Sequence, residues 1–416
     1  MSEALTTEQK AIIAEKGIAH LRPGLAPGEI PDKETKNEKI ERFLMALYDF
    51  RYNEIKQKPE YSHKDKIKFQ PVDKYLLNTL KRYIDTCGIN TSVDNIKQIL
   101  ASSFSAKINP IQHYFQTLSQ VEKNEEDYIL LLSSTVDVKN TSPFKFAEYL
   151  KKWMVGVVAN TLDNEICRNH LCLVLCGDQG TFKTTWLENL CPRELRQYLF
   201  TGKIDPTNKD SQTLLAEYLF INIDDQLRQL NKKDENELKN LITVNKVKYR
   251  RPYDEYINEY PHLASFMASV NGNEFLTDTT GSRRFLPFEI TAIDIKKAQA
   301  MNLTNCWRQA FTLYLQKFQY WLNEKEIQEL HAQNESFQVI NTEEDLIYDH
   351  FTVPLSDNEP GVEHMTATAI KAFIERNTLQ RISMRKLGEA LKKTGFIRHQ
   401  ITKDKMKVWV YDVKKK

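Results

Sequence analysis

The apolar run LCLVLC, Leu171–Cys176, leads directly into the loop GDQGTFKTT, Gly177–Thr185, which opens a helical pattern, TTWLENL. No other segment constrains the chain as strongly. A cradle for phosphate needs permissive residues where backbone N–H groups turn inward, a helix N-terminus behind them, and one ammonium that reaches the terminal phosphates. Gly177 and Gly180 are expected to shape this loop, with Asp178, Gln179, Thr181, Phe182 and Thr185 completing its wall. Lys183 is placed on the β- and γ-phosphates and Thr184 on Mg²⁺, so the expected ligand is ATP with Mg²⁺. The usual pattern has Gly immediately before the Lys, where this chain has Phe182. A bulky residue fits there if its φ stays negative and its ring points away from the nucleotide.

A second apolar run, YLFINIDD, ends in adjacent carboxylates about forty residues downstream. An ATPase needs one carboxylate to hold the metal and another to polarise the attacking water. Asp224 is assigned to the metal and Asp225 to water activation, against the alternative of a solvated loop. A third run, LASFMASVN, ends in Asn271, an amide suited to sensing a γ-phosphate or to capping a loop. Beyond it, FLTDTTGSRRF places Asp278, Gly281, Arg283 and Arg284 in a turn before the strand pattern RFLPFEI. Paired arginines there suit a finger that neutralises charge on a neighbouring subunit's nucleotide; a surface salt bridge is the plainer reading.

The net charge is only +2, yet from Arg381 onward twelve Lys/Arg face three acids, Glu389, Asp404 and Asp412. Two basic segments are candidates for DNA. VNKVKYRRPYDEY interleaves Lys246, Lys248, Arg250 and Arg251 with Tyr249 and Tyr253, as a hairpin tracking phosphates and stacking on bases would require. Pairing with Asp254 and Glu255 is the alternative. The C-terminal order of two helical patterns and two short strands fits a winged helix, with Arg385, Lys386, Lys392 and Lys393 on the second helix and Lys403, Lys405 and Lys407 in the wing.

The remaining chain reads as a flexible Pro/Gly/Glu/Lys arm over residues 1–40, short strands plus a helical domain over 41–165, an α/β core over 166–325 and the basic module over 335–416. The first residues lack a basic flank followed by an apolar block, and Leu171–Cys176 is far short of a membrane span, so a cytoplasmic location is expected. The six cysteines show no CxxC pair and read as reduced; Cys167, His170, Cys172 and Cys176 lie close in sequence, but without zinc-knuckle spacing.

GDQGTFKTTW, the double-Asp strand end, SVNGNEFLTDTTGSRRF and YDFRYNEI together resemble the virulence-associated protein E family, a branch of the superfamily 3 helicases of phages and mobile genetic elements. The resemblance spans roughly Phe43 to Ile290. It implies a modified AAA+ core, a hexamer, ATP hydrolysis and translocation on or unwinding of DNA during replication of such an element. It also implies Lys183 and Thr184 as the P-loop pair, Asp224 and Asp225 as the acidic motif, Asn271 as the sensor, and a pore hairpin in the interval that holds Lys246–Arg251. Family members often carry a primase domain upstream; this chain has no room for one, so a separate primase is an expected partner. Two other readings stand beside the helicase: a nucleotide-dependent DNA-binding switch or scaffold without unwinding, and a small-molecule P-loop kinase. The kinase leaves Asn271, the Arg pair and the basic C-terminus unexplained.

Overall fold

The computed structural model describes residues 34–64, 66, 68–122, 124–208, 210–251, 256–277, 282–339, 342–354, 359–378, 381–403 and 406–416. These fall into two compact units, one within 1–273 and 280–334, the other within 274–279 and 335–416. Among the described residues no helix is long and apolar enough to cross a membrane.

The first unit opens with the helix Lys36–Leu47, set by a capping box in which Thr35 and Glu38 satisfy each other's backbone N–H. Residues 36–40 of the expected arm therefore belong to a helix; 1–33 lie outside the described residues. Strands β1 (Tyr48–Asn53), β2 (Lys58–His63), β3 (Gln70–Pro71) and β4 (Ala106–Ile108) form a sheet in the order β3-β2-β1-β4. Helices Lys74–Thr86 and Val93–Leu100 bury Leu77, Leu80, Ile96 and Leu100 in one small core with Ile40, Phe43 and Leu44.

The main sheet contains β5 (Val136–Val138), β6 (Cys172–Gly177), β7 (Leu199–Gly202), β8 (Phe220–Asp224), β11 (Ser265–Asn271) and β12 (Phe285–Ile293). Its order is β5-β12-β6-β11-β8-β7. All neighbours are parallel except β5, which closes the β12 edge antiparallel. Parallel strands covered on both faces read as unbroken apolar runs, and all six residues of β6 are buried. A short two-stranded ribbon, β9 (Lys246–Tyr249) with β10 (Asn258–Pro261), stands between β8 and β11 in sequence.

The expected boundary near residue 165 is not a boundary in packing. The helix Pro143–Leu162 starts at the Ser142 cap and buries nearly every position from Phe146 to Thr161, so it needs apolar neighbours on all sides. Its Trp153 indole donates to the carbonyls of Leu171 and Phe266, and its ring stacks on Phe220 at 5.8 Å. Asn160 donates to the carbonyls of His262 and Ala264. This helix thus shares one core with the sheet. The helix Leu303–Leu315 packs on this core and ends before Lys317, whose φ of 61 turns the chain.

In the second unit, helices Thr342–His350, Ala367–Thr378 and Met384–Lys393 pack on an antiparallel sheet of β13 (Phe351–Thr352), β14 (Val362–Met365), β15 (Arg398–Lys403) and β16 (Met406–Lys415). Ile347, Phe351, Ile370, Ile374, Leu387, Leu391 and Val413 form its core. The first helix and β13 open this unit with an acidic run in which Leu346, Ile347 and Phe351 supply the apolar face.

Candidate functional site

β6 ends at Gly177, and the chain turns through Gly180 and Phe182 into the helix Lys183–Asn189. That helix is anchored from behind by Trp186, whose indole donates to the Thr135 hydroxyl at 2.9 Å. Gly177 has φ 142, and a Cβ there would meet the Ile290 carbonyl oxygen at 2.5 Å. Phe182 departs from the expectation of negative φ: it sits at φ 62, in the left-handed region a glycine takes freely, with its ring half-exposed. The loop keeps a glycine-type turn without the glycine. The conformation costs about 1–2 kcal/mol for an L residue, which the anchored helix and the fixed β6 end offset.

The Lys183 side chain is buried and turned back over the loop. Its ammonium donates to the carbonyls of Gly177 (3.0 Å) and Asp178 (2.6 Å), to the Thr181 hydroxyl (3.1 Å) and to Asn271 Oδ1 (3.4 Å). Burial pushes this ammonium below the ordinary lysine range, while Cys176, Asp178, Asp225 and Asp224 pull it back. A desolvated cation held mainly by carbonyl dipoles is poised for a stronger anionic partner.

Register explains why the other groups meet here. β11 lies between β6 and β8, with Asn271 opposite Gly177 and Ser269 opposite Asp224. The Thr184 hydroxyl donates to Asp224 Oδ1 at 2.9 Å, and the Ser269 hydroxyl donates to the same oxygen at 2.7 Å. Asp225, at φ 47, accepts from the Asn271 backbone N–H at 3.1 Å and donates its own N–H to the Ser269 carbonyl. A hydroxyl and a carboxylate 2.9 Å apart are a hard-oxygen pair of the kind Mg²⁺ prefers, so the residues fit that ion.

Two residues of this cluster escaped the sequence reading. Ser269 is a hydroxyl inside a buried apolar strand, two positions before Asn271 and therefore on the same face; that alternation was the available signal. Arg228 donates to the Asn271 carbonyl at 2.7 Å from a short 3-10 turn after β8, and nothing local in LRQL marks it.

Arg283 and Arg284 are not brought to this cluster. They lie in a 3-10 turn before β12, whose first residue pairs with Cys172 at the start of β6. The length of β6, about 3.3 Å per residue, separates them from Lys183. There they line a cleft of about 330 Å³ with Arg168, His170, Tyr320 and Trp321. Arg284 Nε is buried without a hydrogen-bond partner among the described residues, and burial, then Arg283, holds the guanidinium below the ordinary arginine range. Asp278 and Gly281 of the same expected turn lie outside the described residues.

The expected basic hairpin is present as β9 and β10, but its side chains divide. Lys248 is exposed and pairs with Glu259 at 3.3 Å, Lys246 pairs with Glu165 at 2.6 Å, and Arg250 is exposed. Arg251 corrects the expectation of a DNA contact. It is buried, donates to the Ile55 carbonyl at 3.0 Å, lies 3.6 Å from Glu217 and stacks on Tyr260 at 4.5 Å, so it fastens the loop end of the hairpin to the turn between β1 and β2. Tyr249 likewise packs on Tyr260. The exposed apolar side chains near the tip are Tyr256 and Ile257; Tyr253, Asp254 and Glu255 lie outside the described residues.

In the second unit Arg385, Lys386, Lys392 and Lys393 are all exposed on the helix Met384–Lys393, opposite buried Leu387, Ala390 and Leu391. Arg385 pairs with Glu389 and Lys393 with Glu344, while Lys386 and Lys392 have no ion pair among the described residues. Of the expected wing lysines, Lys407 is exposed on β16; Lys405 lies outside the described residues, and of Lys403 only its place in β15 is described.

The local geometry carries a direct check. Gly177→Ala is expected to lower nucleotide affinity at least tenfold and to cost about 1–3 kcal/mol of stability, because its Cβ would collide with β12 and its φ is unsuited to an L side chain. Titration with a fluorescent ATP analogue reads the first effect; unchanged affinity would show that this loop does not hold the nucleotide.

Comparison with known proteins places the chain. The family model for the virulence-associated protein E-like domain matches residues 118–339. Similar solved structures include the apo structure of the NrS-1 C terminal region (305-718), 12% identical, covering 92% of this chain and 99% of that one at TM-score 0.49. The A form apo structure of the same region is 12% identical, with 89% and 97% covered at TM-score 0.44. No curated protein matches. With more than half of its length matched, the chain belongs to the virulence-associated protein E-like family.

Proposed function

We propose that this chain is a DNA-coupled ATPase in the replication of a mobile genetic element, built on a P-loop core of the modified AAA+ kind and acting as a hexameric ring. One observation carries the reading: Lys183, Thr184, Asp224 and Asn271 converge at the carboxyl ends of three adjacent parallel strands. Ligands of open parallel sheets bind at that edge. Lys183 would exchange its loop carbonyls for phosphate oxygens, Thr184 and Asp224 would hold Mg²⁺, and Asp225 and Asn271 would orient the attacking water. Bound Mg²⁺ would supply charge neutralisation across the phosphates. Arg283 and Arg284, remote from their own chain's Lys183, would serve a neighbour's nucleotide, which makes the ring part of the chemistry. The exposed Lys248 and Arg250 on the hairpin and the outward face of Met384–Lys393, in a winged-helix-like module, would meet DNA. A separate primase is a proposed partner.

The test is ATP hydrolysis by the full chain with and without single-stranded DNA, beside Lys183→Ala. DNA-stimulated turnover that depends on Lys183 supports the motor; ATP bound without turnover removes it.

Phe182 supports a second reading, a nucleotide-dependent DNA-binding switch that hydrolyses slowly or not at all. Phe182→Gly separates the two. Relief of the left-handed side chain and the added freedom of the unfolded glycine nearly offset, so stability should change by less than about 1 kcal/mol. A motor keeps its turnover in this variant, whereas a switch braked by Phe182 gains turnover on the order of tenfold.

A further inference from the structure

His364 on β14, Asp412 on β16 and His399 on β15 come together on three adjacent strands of the second unit. β16 is the middle strand: His364 stands directly opposite Asp412, and His399 stands opposite Val410, diagonal to it. Asp412 is buried; His364 is exposed and His399 half-exposed. One ring nitrogen of each histidine and one carboxylate oxygen all lie within 4.8 Å of one another. His364 Nδ1 is 2.5 Å from Asp412 Oδ1, His399 Nδ1 is 3.4 Å from Oδ2, and the two rings meet edge to face at 5.6 Å.

From this juxtaposition we propose a divalent transition-metal site, with Zn²⁺ as its natural occupant, formed by His364, His399 and Asp412. Two imidazoles and one carboxylate suit a borderline ion such as Zn²⁺ and do not suit Mg²⁺ or Ca²⁺, which prefer all-oxygen shells. Zn²⁺ bonds of about 2.0–2.2 Å place tetrahedral ligand atoms roughly 3.3 Å apart, so the three groups close on the ion with side-chain rotations alone. Exposure of His364 leaves the fourth position to water. The buried Asp412 carboxylate gives a reason for the arrangement: removed from water, it needs a positively charged partner, and a cation shared with both imidazoles supplies one. The site is separate in sequence and chemistry from the oxygen pair of Thr184 and Asp224, and it does not depend on the ATPase reading. Its consequence is structural: the ion ties β14, a four-residue strand, to the β15–β16 hairpin through all three strands.

The full chain, stripped with EDTA and desalted, is titrated with Zn²⁺ against a chromophoric chelator in excess Mg²⁺, which occupies oxygen-ligand sites. The wild type is expected to bind one equivalent more than the double variant His364→Ala with His399→Ala, and Co²⁺ is expected to give d–d absorption that this variant lacks. Because His364 is exposed, His364→Gln leaves the fold intact and carries the test if the double variant loses its circular-dichroism spectrum; it is expected to weaken Zn²⁺ binding at least tenfold. Equal Zn²⁺ stoichiometry and affinity in the wild type and His364→Gln overturns the proposal, and leaves the three side chains as a hydrogen-bonded cluster.

Discussion

Lys183→Ala is expected to reduce ATP turnover by at least about 100-fold while the protein stays folded. The ammonium makes four polar contacts, all with its own loop or with the Asn271 side chain, and none of those partners is a carboxylate. Truncation therefore leaves no charge unpaired, and it removes a desolvated cation; the structural loss is small. For nucleotide the loss is large, since Lys183 is the lysine of the loop Gly177–Thr185 and phosphoryl transfer relies on positioned charge rather than on covalent chemistry. Steady-state phosphate release with saturating Mg²⁺ and ATP measures it. Turnover within tenfold of wild type would refute the assignment of the site.

Arg251→Ala has the second-largest expected effect, and it falls on stability. Its guanidinium is buried between the Ile55 carbonyl, the Tyr249 hydroxyl, the Tyr260 ring and the Glu217 carboxylate. Removing it leaves the buried Ile55 carbonyl unpaired, empties the space over the Tyr260 ring and leaves Lys56 as the remaining cation near Glu217, about 2–3 kcal/mol. A lower Tm and early loss of the Tyr249–Tyr260 packing should follow. Arg250→Ala, one residue away and exposed, is expected to leave Tm unchanged and to weaken DNA stimulation of turnover. If both variants unfold at the wild-type midpoint, the buried clamp is not a stabilising feature.

This pair shows how far the sequence reading reached. YRR gives two adjacent arginines of identical chemistry just past the end of β9, and the chain turns one outward and the other inward. Which of them is covered depends on the β1–β2 turn and the helix Asp210–Glu217, elements remote in sequence. The strands β6, β8 and β11 were legible because a parallel sheet buried on both faces demands continuous apolar runs, and LCLVLC, YLFINID and LASFMASVN satisfy that demand locally. The left-handed φ of Phe182 was not legible. Sequence propensity argues against it, and it is imposed by the fixed end of β6 on one side and the Trp186 anchor on the other.

The residue types of the candidate site and the strand ends that carry them can be read along the chain, because the spacing of apolar runs and polar tips is local. Tertiary structure alone decided the company those residues keep. Insertion of β11 between β6 and β8 sets Ser269 and Asn271 between the lysine and the carboxylates. The direction of β12 carries Arg283 and Arg284 to the far edge of the sheet, and three strands of the second unit gather His364, His399 and Asp412. Strand order is fixed by the total burial of both sheet faces, a property of the whole chain that no local window contains.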